Sequence, residues 1–139
     1  FRLTNIQAAL GVAQLEQLPK FLEQKRYIHL QYVEEMKKQQ GFSIAGVPKY
    51  AKNNHWLNLL HINSKMQTVT PESIMVHLEN NGIETRPVWT LNHLQKPYKK
   101  YQSYKINRAQ KLVKISLCLP SSSNSSEDSI KNVILALNE

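Results

Sequence analysis

A mixed α/β (α+β) fold, two long helices leading into a short sheet packed by helices, is what the sequence predicts, and three observations predict it. Residues 1–40 repeat apolar side chains at helical spacing, interrupted by one proline, Pro19. Two short runs rich in apolar residues, 55–62 and 115–119, and the short segment 83–86 have strand length, and Pro87 and Pro120 close 83–86 and 115–119. Between and after them stand helix starts such as Thr70-Pro71-Glu72 and a final i, i+3, i+4, i+7 stripe. Strands alternating with helices make a layered domain, here over residues 41–139, with residues 1–40 as a helical extension.

Each element has a local reason. Thr4 and Gln7 form a capping-box pair, so the first helix is expected over 4–18, with Leu3, Ile6, Leu10 and Ala13 along one face. Pro19 ends or kinks it and can open a second helix over 20–40, where Phe21, Ile28, Tyr32 and Met36 share a side and Gly41 gives a stop. Residues 42–54, with Gly46 and Pro48, read as loop. The run 55–62 (HWLNLLHI) is mostly apolar, so a strand covered on both faces is expected. Thr70 then caps a short helix that buries Ile74, Met75 and Leu78 and ends at Asn81-Gly82. Residues 83–86 form a short strand, 107–114 a helix and 115–119 a third strand. The serine-rich stretch 121–126 caps the last helix, whose stripe is Ile130, Val133, Ile134 and Leu137.

Composition narrows the function classes. The 139 residues are 41% hydrophobic, too apolar for a disordered chain, and their longest apolar runs are a few residues, far short of the ~20 that cross a bilayer. No membrane association is therefore expected. A single cysteine, Cys118, excludes an internal disulfide framework and suits the cytoplasm. The chain opens without Met one turn before a well-formed helix, as a piece of something longer would. Its net charge of +8 is concentrated: residues 86–114 contain eight Lys/Arg and no acid, so the rest is balanced. Interleaved Trp89, His93, Tyr98, Tyr101 and Tyr104 suit a nucleotide or single-stranded nucleic acid, while a solvated basic surface has the same composition.

A self-sufficient catalytic centre is not legible. There is no GxGxxG, P-loop or GxSxG, one cysteine cannot build a cysteine-rich zinc site, and the five histidines lack a carboxylate cluster. No catalytic, cofactor-binding or metal-ligating residue is assigned. What remains is Gly82-Ile83-Glu84-Thr85-Arg86-Pro87-Val88-Trp89, followed by His93 and Tyr98. Arg86 stands at a strand end and offers a planar fork to a carboxylate or phosphate. Trp89 and Tyr98 offer ring faces, and His93 can donate a hydrogen bond. A salt-bridging Arg, a packed Trp and a surface His are the alternative.

Three blocks resemble the DegT/StrS sugar aminotransferases, fold-type I enzymes dependent on pyridoxal phosphate (PLP). They are Phe1-Arg2-Leu3-Thr4-Asn5-Ile6-Gln7-Ala8-Ala9-Leu10-Gly11, the Gly82-to-Trp89 segment with His93 and Tyr98, and Cys118-Leu119-Pro120-Ser121. The resemblance spans nearly the whole chain and implies the small C-terminal domain of such an enzyme. It implies amino transfer from glutamate to a nucleotide-linked keto-sugar, in bacterial surface polysaccharide or glycoconjugate biosynthesis. It further implies a homodimer with its active site at the interface, and PLP held by residues upstream of this chain. Lys96, Lys99 and Lys100, in a basic loop, are poor candidates for the lysine that links PLP. By the same resemblance Arg2 belongs to a motif crossing the dimer interface, and Arg86, Trp89, His93 and Tyr98 line the substrate mouth. Leu91-Asn92 stand where relatives often carry a proline shortly before the histidine. A nucleic-acid-binding module is the competing reading, and a family relative that became a dehydratase or regulator is a third.

Overall fold

The computed structural model describes residues 2–63, 66 and 68–139. One helix, α1 (Asn5–Lys37), takes up the N-terminal quarter. It starts as its sequence dictates. Thr4 Oγ1 accepts from the Gln7 amide, and the Gln7 side chain accepts from the Thr4 amide, which satisfies two donors that have no partner within the helix.

The expected break at Pro19 does not occur, and α1 runs through it. Proline forfeits one backbone hydrogen bond and costs a helix interior about 3 kcal/mol. Stopping and restarting there would leave four carbonyls and four amides without partners, and neighbouring Leu18 has no side chain to cap them. Only the C-terminal half of α1 packs: Ile28, Tyr32 and Met36 are buried, while Leu3, Ile6, Leu10 and Leu15 remain between 62% and 76% exposed. The helix is about 50 Å long at 1.5 Å per residue, so its first turns extend well beyond the core.

The rest forms a four-stranded sheet in the order β1-β2-β4-β3, from β1 (Phe42–Ile44), β2 (Asn58–Ile62), β3 (Arg86–Pro87) and β4 (Ser116–Leu119). Every pairing is antiparallel, with Phe42 opposite Ile62, Asn58 opposite Leu119 and Arg86 opposite Cys118. Strand β1 lies inside the stretch expected to be loop; three residues are too few for a period-two signal to stand out. The strand expected over 55–62 begins only at Asn58. The strand expected over 83–86 contracts to Arg86 and Pro87, and proline is admissible there because β3 is an edge strand.

Helices α1, α2 (Pro71–Asn80) and α4 (Glu127–Ala136) supply one apolar layer. Ile28, Tyr32, Ile74, Leu78, Ile130, Val133 and Ile134 meet Leu60, Ile62, Leu117 and Leu119 in one core. Strand β2 is not covered on both faces as expected: Asn58, Leu60 and Ile62 are buried, whereas Leu59 and His61 are half-buried. Central β4 is the strand buried throughout. Helix α3 (Asn107–Lys114) packs at its other face, where Ser116 Oγ donates to the Leu112 carbonyl. Gly82, at φ +72°, ends α2 in the left-handed conformation that glycine adopts without a Cβ penalty.

Candidate functional site

Beyond β3 the chain crosses residues 88–91, makes a 3-10 turn at Asn92–Leu94 and reaches α3 through a lysine- and tyrosine-rich loop. Together these segments border an open cavity of about 580 Å³ lined by Trp89, Asn92, His93, Tyr98, Tyr101 and Gln102, among others. Of the five residues the resemblance assigns to the substrate mouth and the interface motif, Trp89, His93 and Tyr98 therefore share one concavity. Gln110 on α3 fixes the histidine: its amide Nε2 lies 3.2 Å from His93 Nε2.

The other two residues lie elsewhere. Arg86 lines a separate depression of about 500 Å³ with Met75, Glu79 and Glu84. Its guanidinium pairs with Glu84 at 2.6 Å, both side chains about three-quarters exposed, so the pair contributes little stability and opens readily. Arg2 is exposed and precedes the unpacked end of α1. From Asn5 to the first fully buried position of α1, Ile28, the helix alone spans about 35 Å.

The positive charge also divides in an unexpected way. No Lys or Arg lines the Trp89 cavity, although seven of them fall within residues 96–114 and all seven are exposed. The cavity thus presents rings, aliphatic side chains, hydroxyls and amides, and no cation is among its lining residues. Lys100 lies 5.3 Å above the Tyr101 ring and Lys105 lies 5.1 Å above the Tyr104 ring. One face of each tyrosine is thereby occupied by a neighbouring ammonium, which removes a surface that base stacking would need.

One aromatic escaped the sequence reading. Trp56, just before β2, meets Trp89 with ring centroids 6.1 Å apart and planes tilted by 36°. The signal available was Asn53-Asn54, whose side-chain oxygens accept from the His55 and Trp56 amides at 2.9 and 3.0 Å and turn the chain sharply. His55 takes the left-handed conformation, φ +50°, and its ring stacks on His29 of α1 at 4.0 Å. Burial first, then His29 and Arg26, hold the His55 imidazolium below its ordinary pKa. Lys25 of α1 donates to the carbonyls of Trp56 and Ser121. Its pKa is lowered by burial.

Lys25 is the one described lysine that is not exposed, and its ammonium already serves two backbone carbonyls. Among the described residues no group of three or more His, Cys, Asp or Glu could hold a metal ion, and no helix is long and apolar enough to cross a membrane. Cys118 is buried and its thiol is pushed up by desolvation, the state of a packed, unreactive sulfur.

A long helix leading into a small antiparallel sheet packed by helices is the architecture of the corresponding region of fold-type I PLP aminotransferases. Helicobacter pylori PseC, an aminotransferase involved in pseudoaminic acid biosynthesis, superimposes on 99% of this chain with a TM-score of 0.84 and 21% identity, over 37% of its own length. The Escherichia coli GDP-4-keto-6-deoxy-D-mannose-3-dehydratase matches 94% of the chain at TM-score 0.80 and 22% identity, over 34% of its length. The family follows from the sequence: residues 1–138 match the DegT/DnrJ/EryC1/StrS aminotransferase family, and the chain belongs to it. EpsN of Bacillus subtilis is 33% identical over 143 residues, 99% of this chain and 36% of that protein. The GDP-perosamine synthase of Escherichia coli O157:H7 is 32% identical over 143 residues, 100% of this chain and 36% of that enzyme. The chain thus spans about a third of the length of these relatives.

Proposed function

We propose that this chain is the C-terminal part of a PLP-dependent aminotransferase that moves an amino group from glutamate to the keto carbon of a nucleotide-linked sugar. The product would serve bacterial surface polysaccharide or glycoconjugate biosynthesis. The observation that carries the reading is the cavity shared by Trp89, His93 and Tyr98 in a chain of this family. Relatives named GDP-perosamine synthase support a nucleotide-sugar substrate.

Within that reading the residues divide the work. Trp89 and Tyr98 wall the space for the sugar, and His93, whose Nε2 contacts Gln110, offers its other ring nitrogen to a sugar or phosphate oxygen. Arg86 exchanges its exposed Glu84 partner for an anionic group of the substrate. Arg2, at the free end of α1, reaches toward a partner subunit. The exposed leucines and Ile6 of that helix fit burial against the rest of the enzyme or the second subunit of a homodimer. PLP, when bound by the intact enzyme, supplies the electron sink for amino transfer; its linking lysine lies outside the described residues. The cytoplasm, where nucleotide sugars are made, is the fitting compartment.

The test incubates the intact protein with PLP, glutamate and GDP-4-keto-6-deoxy-D-mannose, and follows amino-sugar and 2-oxoglutarate by mass spectrometry. Both should form together. Arg86→Ala should lower kcat/KM for the nucleotide sugar by about tenfold to a hundredfold, the value of one charged contact, with PLP retention unchanged. Loss of water from the sugar without a new C–N bond would identify a dehydratase instead. Equal loss of PLP and sugar use in Arg86→Ala would make that residue structural.

A further inference from the structure

We infer that Trp56 and Trp89 form a clamp for the nucleobase of the sugar nucleotide; this rests on the proposed nucleotide-sugar substrate. The two rings belong to segments far apart in sequence, and each remains largely in solvent, Trp56 at 66% and Trp89 at 59% exposure. Neither belongs to the hydrophobic core. Their contact therefore holds no sheet or helix together, and it leaves two indole surfaces facing water beside a cavity.

The geometry is close to that of a stacking site. A flat ring held between two parallel rings needs about 7 Å between them, two van der Waals spacings of about 3.5 Å. The pair stands at 6.1 Å with a 36° tilt, so widening by about 1 Å and levelling the planes would admit a base. Both side chains are more than half exposed and lie outside the hydrophobic core, so this rotation leaves the core packing in place. Alternatively the base lies on the outer face of the pair without any opening, and the same residues carry the contact.

Two further observations select a nucleobase over an apolar peptide. Trp89 also lines the cavity of His93 and Tyr98, so a ligand on the tryptophans continues directly into the space assigned to the sugar. The backbone behind Trp56 is tied down from several sides. Asn54 holds its amide, Lys25 its carbonyl, and His55 beside it stacks on His29. A pre-positioned ring binds a flat partner at low ordering cost, which suits a rigid heterocycle.

The experiment measures binding of GDP, dTDP and inorganic pyrophosphate to the intact protein by titration calorimetry, for the wild type, Trp56→Phe and Trp56→Ala. Wild type should bind both nucleotides. Trp56→Ala should weaken them about tenfold to a hundredfold, the usual loss for one base stack, with Trp56→Phe recovering most of it and pyrophosphate unaffected. Because Trp56 is exposed, neither variant should disturb folding, and unchanged pyrophosphate binding reports an intact site. Nucleotide binding as tight in Trp56→Ala as in wild type would overturn the clamp and leave the nucleotide-sugar reading standing. Absence of nucleotide binding in the wild type itself would overturn both.

Discussion

Replacing one buried hydroxyl should loosen the end of the sheet that carries Trp56. Ser121 Oγ accepts hydrogen bonds from the backbone amide and the side-chain Nδ2 of Asn58, both at 3.0 Å, and donates to the Leu119 carbonyl at 2.9 Å. Asn58 is 1% exposed, so neither of its donors can turn to water when the oxygen is removed. An unpaired buried donor costs about 1–3 kcal/mol, and two sharing some relaxation cost about 2–4 kcal/mol. At about 1.4 kcal/mol per decade, Ser121→Ala should raise local opening of β2 roughly 30- to 1,000-fold. Hydrogen–deuterium exchange of the Asn58–Ile62 amides in the intact protein reads this directly. Asn58→Ala should cost a similar amount, because it strands the Nδ1 proton of His29, whose ring donates to Asn58 Oδ1 at 2.8 Å. The double variant should then cost at least about 1 kcal/mol less than the sum of the two. A loss below about 0.5 kcal/mol, the range of ordinary surface substitutions, or strict additivity of the two, would refute the claim that these bonds act as one unit.

Two further outcomes follow from the described contacts. Pro19→Ala restores a backbone donor inside α1, so amides 16–22 should gain protection worth about 1–3 kcal/mol; reduced protection would show that the proline shapes the helix for a partner. His55 and His61 both have pKa values lowered by burial, so the folded state binds fewer protons than the unfolded chain. Their contribution is complete above the ordinary histidine value of about 6.5 and is lost as pH falls through the lower folded values. The thermal midpoint should therefore drop between pH 7 and 5.5, and His61→Gln should flatten that slope. A midpoint that rises on acidification would contradict the sign.

How much was legible depended on whether a signal was local. Thr4 with Gln7, Thr70 before Pro71, and Gly82 after α2 each specify a helix end through groups within a few residues, and each stands where the sequence placed it. The stripe of α4 and the strand at Ser116–Leu119 were legible for the same reason. Pro19 misled because a residue's propensity was weighed without the cost of two new helix ends. Strand β1 was missed because three residues become a strand only when Phe42 and Ile62, Ser43 and His61, and Ile44 and Leu60 find one another across the sheet.

The site divides along the same line. Family membership and the clustering of Trp89, His93 and Tyr98 were written in a contiguous stretch, and a short loop can only bring such residues close together. Sequence by itself also determined the placement of eight cations between residues 86 and 114. Only the tertiary structure decided that none of those cations lines the cavity, that Arg86 lines a different depression, and that Trp56 joins Trp89. Side-chain direction within an irregular segment depends on what packs behind it, here α3 and the Lys25, His29 and Asn58 contacts of α1 and β2. Those contacts join residues tens of positions apart, and no spacing along the chain encodes them.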